Sequence, residues 1–142
     1  MPKIVDHDER RRQLAEAVWR IIQREGLEGV SVRSVAKEAG MSLGALRYYF
    51  SSQNELLAFS MNMVSQQIKE RIQQIKLSGD LRNDLETVIA ETLPLDETRH
   101  LEALIWLVFI TRSLTDRKLA ELATDGHQEL YALFRQLIGT LH

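Results

Sequence analysis

Three features of the 142-residue sequence predict an all-α fold. Apolar residues recur at three- and four-residue spacing, the period of one helix face, and no strand-like alternation competes with it. The two prolines stand at positions 2 and 94, and the seven glycines fall mainly between the periodic stretches, where they punctuate helices instead of breaking them. Serines stand where several of those stretches begin, and a serine oxygen there can accept from the free N–H groups of a helix's first turn.

Taken in order, Asp8 to Glu25 places Leu14, Ala17, Val18, Ile21 and Ile22 on one face, and Gly26 follows as a stop. Ser31 is positioned to cap a second helix through Ala39, with Val32, Val35, Ala36 and Ala39 facing inward. Gly40 then supplies a left-handed turn residue, and Ser42 caps a short third helix, Leu43 to Phe50. Ser52, with Glu55 three residues on, has the capping-box pattern and opens a long helix carrying Leu56, Leu57, Phe59, Met63, Ile68, Ile72 and Ile75. Helices are expected next over Leu81 to Leu93, Glu97 to Leu114 and Asp116 to Leu141, the last with a break near Gly126. The stretch Leu101 to Ile110 is apolar nearly all round, which predicts a helix with neighbours on both sides.

Composition narrows the function classes. Hydrophobic residues make up 44% and charged residues 27%, ordinary globular usage, and no apolar run approaches the ~20 residues a bilayer span needs, so no membrane partner is expected. The opening MPKIVDHDERRR lacks the apolar core of a secretory signal, and the expected location is cytoplasmic. The absence of cysteine excludes disulfides, thiolate zinc sites and thiol nucleophiles. His7, His100, His127 and His142 share no helical ligand spacing, so no metal site is expected, and Asp125, His127 and Glu129 read as a polar helix junction. No motif proposes a nucleophile or an acid–base pair, hence neither an enzyme nor a cofactor is expected. The net charge is −2, but nine basic residues face eight acidic ones up to Glu55, and nine face twelve beyond it. That weak asymmetry suits an N-terminal nucleic-acid reader on an acidic body, with affinity supplied by a few placed groups.

Those groups lie in VRSVAKEAGMSLGALRYYF, Val32 to Phe50. Two helices joined by a three-residue turn containing glycine form the unit that inserts its second helix into a major groove. Val35, Ala36, Met41 and Leu46 are expected to pack inward. Ser42, Leu43, Gly44, Arg47 and Tyr48 are then left to project from the start and exposed side of helix three, with Gly44 removing bulk where backbone approaches DNA.

At these residues the sequence resembles the TetR (tetracycline-repressor) family of transcriptional regulators. The family signature runs from paired basic residues through an apolar helix to a G-(V)-S-x-G-x-L-Y-x-(Y/H)-F segment. Here that segment reads Gly40, Met41, Ser42, Leu43, Gly44, Ala45, Leu46, Arg47, Tyr48, Tyr49, Phe50, after Arg11 and Arg12, and the match covers about Arg10 to Leu57. The resemblance implies an N-terminal three-helix helix-turn-helix DNA-binding domain, residues 1–52, joined by a long helix to a C-terminal helical ligand-binding and dimerisation domain, residues 53–142. It adds Arg33, Lys37 and Tyr49 to the DNA-facing set. The implied partners are a double-stranded DNA operator, a second copy of the chain in a homodimer, and a small apolar or cationic effector. Leu85, Val88, Ile89, Trp106, Phe109 and Tyr131 are the expected effector lining, although the same residues would also make an ordinary core. Leu130, Leu133, Phe134, Leu137, Ile138 and Leu141 are the expected dimer face. The chain is short for the family, so either its last helix serves dimerisation or the family's dimerising helices lie outside it. Two departures stand out: Arg47 replaces the family's usual tyrosine, and Gln53 replaces a lysine that commonly touches a phosphate. Arg47 can recover that charge on a phosphate or donate two bonds to a guanine edge.

Overall fold

The structure, a computed structural model, describes residues 7–140. Among the described residues there are seven α-helices and no strand: α1 (His7–Glu25), α2 (Val32–Ala39), α3 (Leu43–Tyr49), α4 (Gln53–Gln73), α5 (Leu81–Ala90), α6 (Glu97–Ser113) and α7 (Arg117–Thr140). A 3-10 turn, Leu27–Gly29, lies between α1 and α2. Leu141 and His142 lie outside the described residues. The all-helical expectation holds, and no helix among the described residues is long and apolar enough to cross a membrane.

The chain divides into two compact units, Met1–Ser60 and Met61–His142. The division falls inside α4 and not after residue 52, because the first two turns of α4 belong to the first core. Leu56, Leu57 and Ser60 are buried there, and Phe59 meets Phe50 edge-on with ring centroids 5.0 Å apart. The rest of that core is Leu14, Ala17, Val18, Ile21 and Ile22 of α1, Val30, Val35 and Ala36 at α2, and Leu46 of α3. Across the α1–α2 contact, Glu38 accepts from Arg20 and Arg24, each at 3.1 Å. Those bonds, that from Arg24 first, hold the Glu38 carboxyl below its ordinary range.

Two polar nodes organise the second unit. The buried Asp84 of α5 accepts from the backbone N–H and hydroxyl of Ser78, each at 2.8 Å, and from the N–H of Gly79 at 3.1 Å. The Arg71 guanidinium of α4 forks onto the buried Glu102 of α6 at 2.6 and 2.8 Å and reaches Glu91 at 2.9 Å. Glu102 is thereby compensated, as a carboxylate withdrawn from water must be.

Several expectations change. Helix α5 stops at Ala90 and not at Leu93, since Pro94 disfavours helical backbone at the residue before it. Helix α7 continues through Gly126, which is not among the glycines with positive φ. Glu55 also accepts from the N–H of Ser51, while Ser52 Oγ accepts from the N–H of Glu55 as expected. Helix α6 is not enclosed on both sides. Glu102, Ile105 and Phe109 form its buried stripe, whereas Leu104, Trp106, Leu107 and Val108 are exposed among the described residues. Apolar composition all round does not decide burial, because a helix loses to solvent whatever arc its neighbours leave uncovered.

The donors around Asp84, the Ser78 N–H foremost, hold its carboxyl below the ordinary range. Its contribution to stability is therefore fully present above the unfolded value of about 4 and lost as the pH falls through and below it. Thermal unfolding of Asp84→Asn is expected to have a lower midpoint at neutral pH and a weaker acid dependence than wild type. Equal midpoints at neutral pH would contradict this role.

Candidate nucleic-acid interface

The α2–α3 pair is built by local rules that leave one face free. Ser31 Oγ accepts from Ser34 N–H and Ser34 Oγ accepts from Ser31 N–H, at 3.0 and 2.9 Å, which closes the start of α2 reciprocally. The end of α2 turns at Gly40, φ 68°, a left-handed conformation that costs a residue with a β-carbon about 1–2 kcal/mol. The Met41 N–H returns to Ala36 O at 2.9 Å. Ser42 Oγ then accepts from Ala45 N–H at 3.1 Å and starts α3.

Of the sequence-predicted DNA-facing residues, Arg33, Lys37, Ser42, Gly44, Arg47 and Tyr48 are exposed, while Leu43 and Tyr49 are half-buried. Met41, expected in the core, is also only half-buried. Tyr48 is 79% exposed and meets Tyr49 edge-on, so its ring lies off the core. The space where a Gly44 β-carbon would stand is open, with nothing within 4 Å. Packing within the protein therefore does not require glycine there. At 1.5 Å per residue a seven-residue α3 is about 10 Å long, a size that a major groove about 12 Å wide admits.

Several cations of this unit are already paired within it. Arg12 pairs with Glu9 and Glu16, and Arg20 and Arg24 pair with Glu38. Arg33, Lys37 and Arg47 have no acidic partner among the described residues. Three cations, a tyrosine hydroxyl and a helix surface cleared by glycine suit polyanion binding with base edges in reach. Sequence reasoning missed the role of Glu38. The signal was Arg20 and Arg24, four apart on one face of α1, which can share an acidic partner on an element packed beside them.

The six expected effector residues are not gathered into one enclosed lining. Val88 and Phe109 are core, Leu85 is half-buried, and Ile89, Trp106 and Tyr131 are exposed. A shallow depression on α7, lined by Arg117, Ala120, Glu121, Thr124 and Asp125, includes none of them. No group of three or more potential ligands placed to hold a metal ion is present among the described residues.

A capped pair of helices with the second presented outward defines a helix-turn-helix DNA-binding protein. Residues 14–58 match the family model for bacterial regulatory proteins of the tetR family, and residues 81–142 match that for the C-terminal part of BetI-type transcriptional repressors. The chain belongs to the TetR family of transcriptional regulators. It is 40% identical over 142 residues to the HTH-type transcriptional regulator PksA of Bacillus subtilis (strain 168), covering 99% of this chain and 68% of that one. A crystal structure of a transcriptional regulator from Rhodococcus sp. Rha1 superposes with a TM-score of 0.77 at 32% identity, over 90% of this chain and 68% of that one. The choline complex of a protein from Saccharomonospora viridis superposes with a TM-score of 0.74 at 26% identity, over 94% and 70%.

Because the Gly44 position is open within the protein, Gly44→Ala is expected to keep the fold and to stabilise α3 by up to about 1 kcal/mol through helix propensity. Its affinity for DNA should nevertheless fall. Arg47→Ala is expected to lose about 1–3 kcal/mol of discrimination if its guanidinium reads a base, and to weaken all sequences alike if it meets a phosphate. Thermal melts beside fluorescence anisotropy on matched and mismatched duplexes separate these. A Gly44→Ala protein that binds as well as wild type would refute the clearance argument.

Proposed function

We propose that the protein is a cytoplasmic, non-enzymatic repressor that binds a near-palindromic operator as a homodimer and is released by a small cationic effector held in the second unit. The observation that carries the DNA half is the exposure of Arg33 and Lys37 on α2 and of Arg47 and Tyr48 on α3, with the position of a Gly44 β-carbon open. A single seven-residue helix offers too few contacts for specific binding, so two copies reading two half-sites are required. Leu130 and Ile138 of α7 are exposed, and Leu133, Phe134 and Leu137 are half-buried, which leaves an apolar stripe for the second copy.

The effector half is supported by the similarity to the choline complex at 26% identity and by the excess of acidic residues beyond Glu55. Exposed Trp106 and Tyr131 are rings of the kind that hold quaternary ammonium groups. Release requires that the effector bind the DNA-free conformation more tightly, and effector and operator then weaken each other by one factor.

Selection of duplexes from a random-sequence pool is expected to return paired half-sites about 10 base pairs apart, centre to centre, or a multiple of that. Sedimentation should give a dimer on that duplex, and choline or a related quaternary ammonium compound should weaken its binding. Recovery of single, unpaired half-sites would refute the dimer, and indifference to every cation tried would refute the effector class.

A further inference from the structure

The side chain of Gln53, in the first turn of α4, crosses 23 positions of sequence to donate its amide to the backbone carbonyl of Val30 at 2.7 Å. That carbonyl sits at the entrance to α2, immediately before the cap Ser31, on a residue only 3% exposed. The other carbonyls of the entrance are satisfied locally. Gly29 O accepts from Ser34 Oγ at 2.6 Å, and Ser31 O accepts from Val35 N–H at 2.9 Å. For Val30 O the donor among the described residues is Gln53. Buried backbone acceptors are almost always paired, so this one depends on a side chain from another helix.

We infer that Gln53 is a positioning residue for operator binding: by tying the first turn of α4 to the entrance of α2, it fixes the helix that carries Arg33 and Lys37 and leads into α3. The inference rests on the reading of that face as the DNA-binding surface. Its physical basis is the loss of freedom at the α2 entrance. Without the bond, Val30 O must find water or shift, and α2 with its cations samples more orientations before DNA selects one. The effect on binding is then indirect, with no Gln53 contact to DNA needed. Glutamine suits the task because its amide donates without charge, whereas a carboxylate would place one acceptor against another.

The test uses Gln53→Met, which keeps length and removes the donor, and Gln53→Glu, whose carboxyl donates only when protonated. Each is measured on a duplex selected by the wild-type protein from a random pool, and by amide hydrogen exchange without DNA. Gln53→Met should bind several-fold more weakly, at most about tenfold, a lost bond's usual range. Amides in the first turns of α2 should exchange faster in the DNA-free variant, with helicity by circular dichroism preserved. Gln53→Glu should behave the same way at neutral pH, and its DNA-free exchange should return toward the wild-type rate as the pH falls into the carboxylate range. Weaker binding with unchanged DNA-free exchange would make Gln53 a direct DNA contact and overturn the proposal. Faster exchange with unchanged affinity would make the bond structural only, and overturn it as well. Should Gln53→Met lose its helicity, the pH dependence of Gln53→Glu exchange and affinity within one folded protein decides the same question. Failure to select any duplex would count against the DNA-binding face itself, leaving the exchange measurements to report on the bond.

Discussion

A reading helix of seven residues cannot hold itself together, and the first unit is organised around that constraint. Isolated helices shorter than about 12–15 residues are marginal in water, so α3 owes its shape to what it buries and to its caps. It buries one side chain completely, Leu46, whose replacement by alanine in such a setting costs about 2–5 kcal/mol. Ser42 supplies the N-terminal cap and Gly40 the chain reversal that sets α3 beside α2. Helix α2 is almost as short, and it in turn is held by Val35 and Ala36 in the core and by Glu38 bonded to α1. Because most of the stabilising contacts point inward, the outward side of α3 is free to be chosen for DNA.

The electrostatic design follows from that division. With a net charge of −2 the chain has little long-range attraction for a polyanion. What matters is which cations are already neutralised. Arg12, Arg20 and Arg24 of α1 are spent on Glu9, Glu16 and Glu38, while Arg33 of α2 and Arg47 of α3 are left for another partner. Exposed ion pairs such as Arg20–Glu38 contribute little stability individually. Their effect here is to neutralise charge at the α1–α2 contact.

Much of this was legible in the sequence, and the reasons are physical. Gly40, Ser42 and the apolar spacing around Leu46 are local signals, decided within a few residues by φ preference, capping and helix period. The end of α5 at Ala90 was obscured because the apolar pattern runs on to Leu93, and only the steric demand of Pro94 stops the helix. The exposure of Trp106 was not legible at all, since burial depends on which neighbours cover a helix and not on its own composition. The bond from Gln53 to Val30 O joins residues 23 apart through a backbone acceptor that carries no sequence identity. Read alone, Gln53 looked only like a missing positive charge. The unit boundary moved into α4 for a related reason: Phe59 belongs with Phe50 by ring packing, which no linker composition announces.

The second unit adds an ionic node to an apolar core of Val64, Val88, Ile105, Phe109 and Leu119. Arg71 joins α4, Glu91 at the end of α5 and the buried Glu102 of α6 through one guanidinium, and breaking one partner of such a node leaves an uncompensated buried charge. Helix α4 is held by a polar bond to Val30 in the first unit and by polar bonds to Glu91 and Glu102 in the second. The central claim remains the identity of the reading face. It is tested most directly by titrating the isotope-labelled protein with its selected duplex and following backbone amide shifts by nuclear magnetic resonance. The largest changes are expected from Arg33, Lys37 and Ser42 to Tyr49, with Arg20, Arg24 and Glu38 little affected; shifts concentrated on the α1 side, with Gly44 unmoved, would contradict the account.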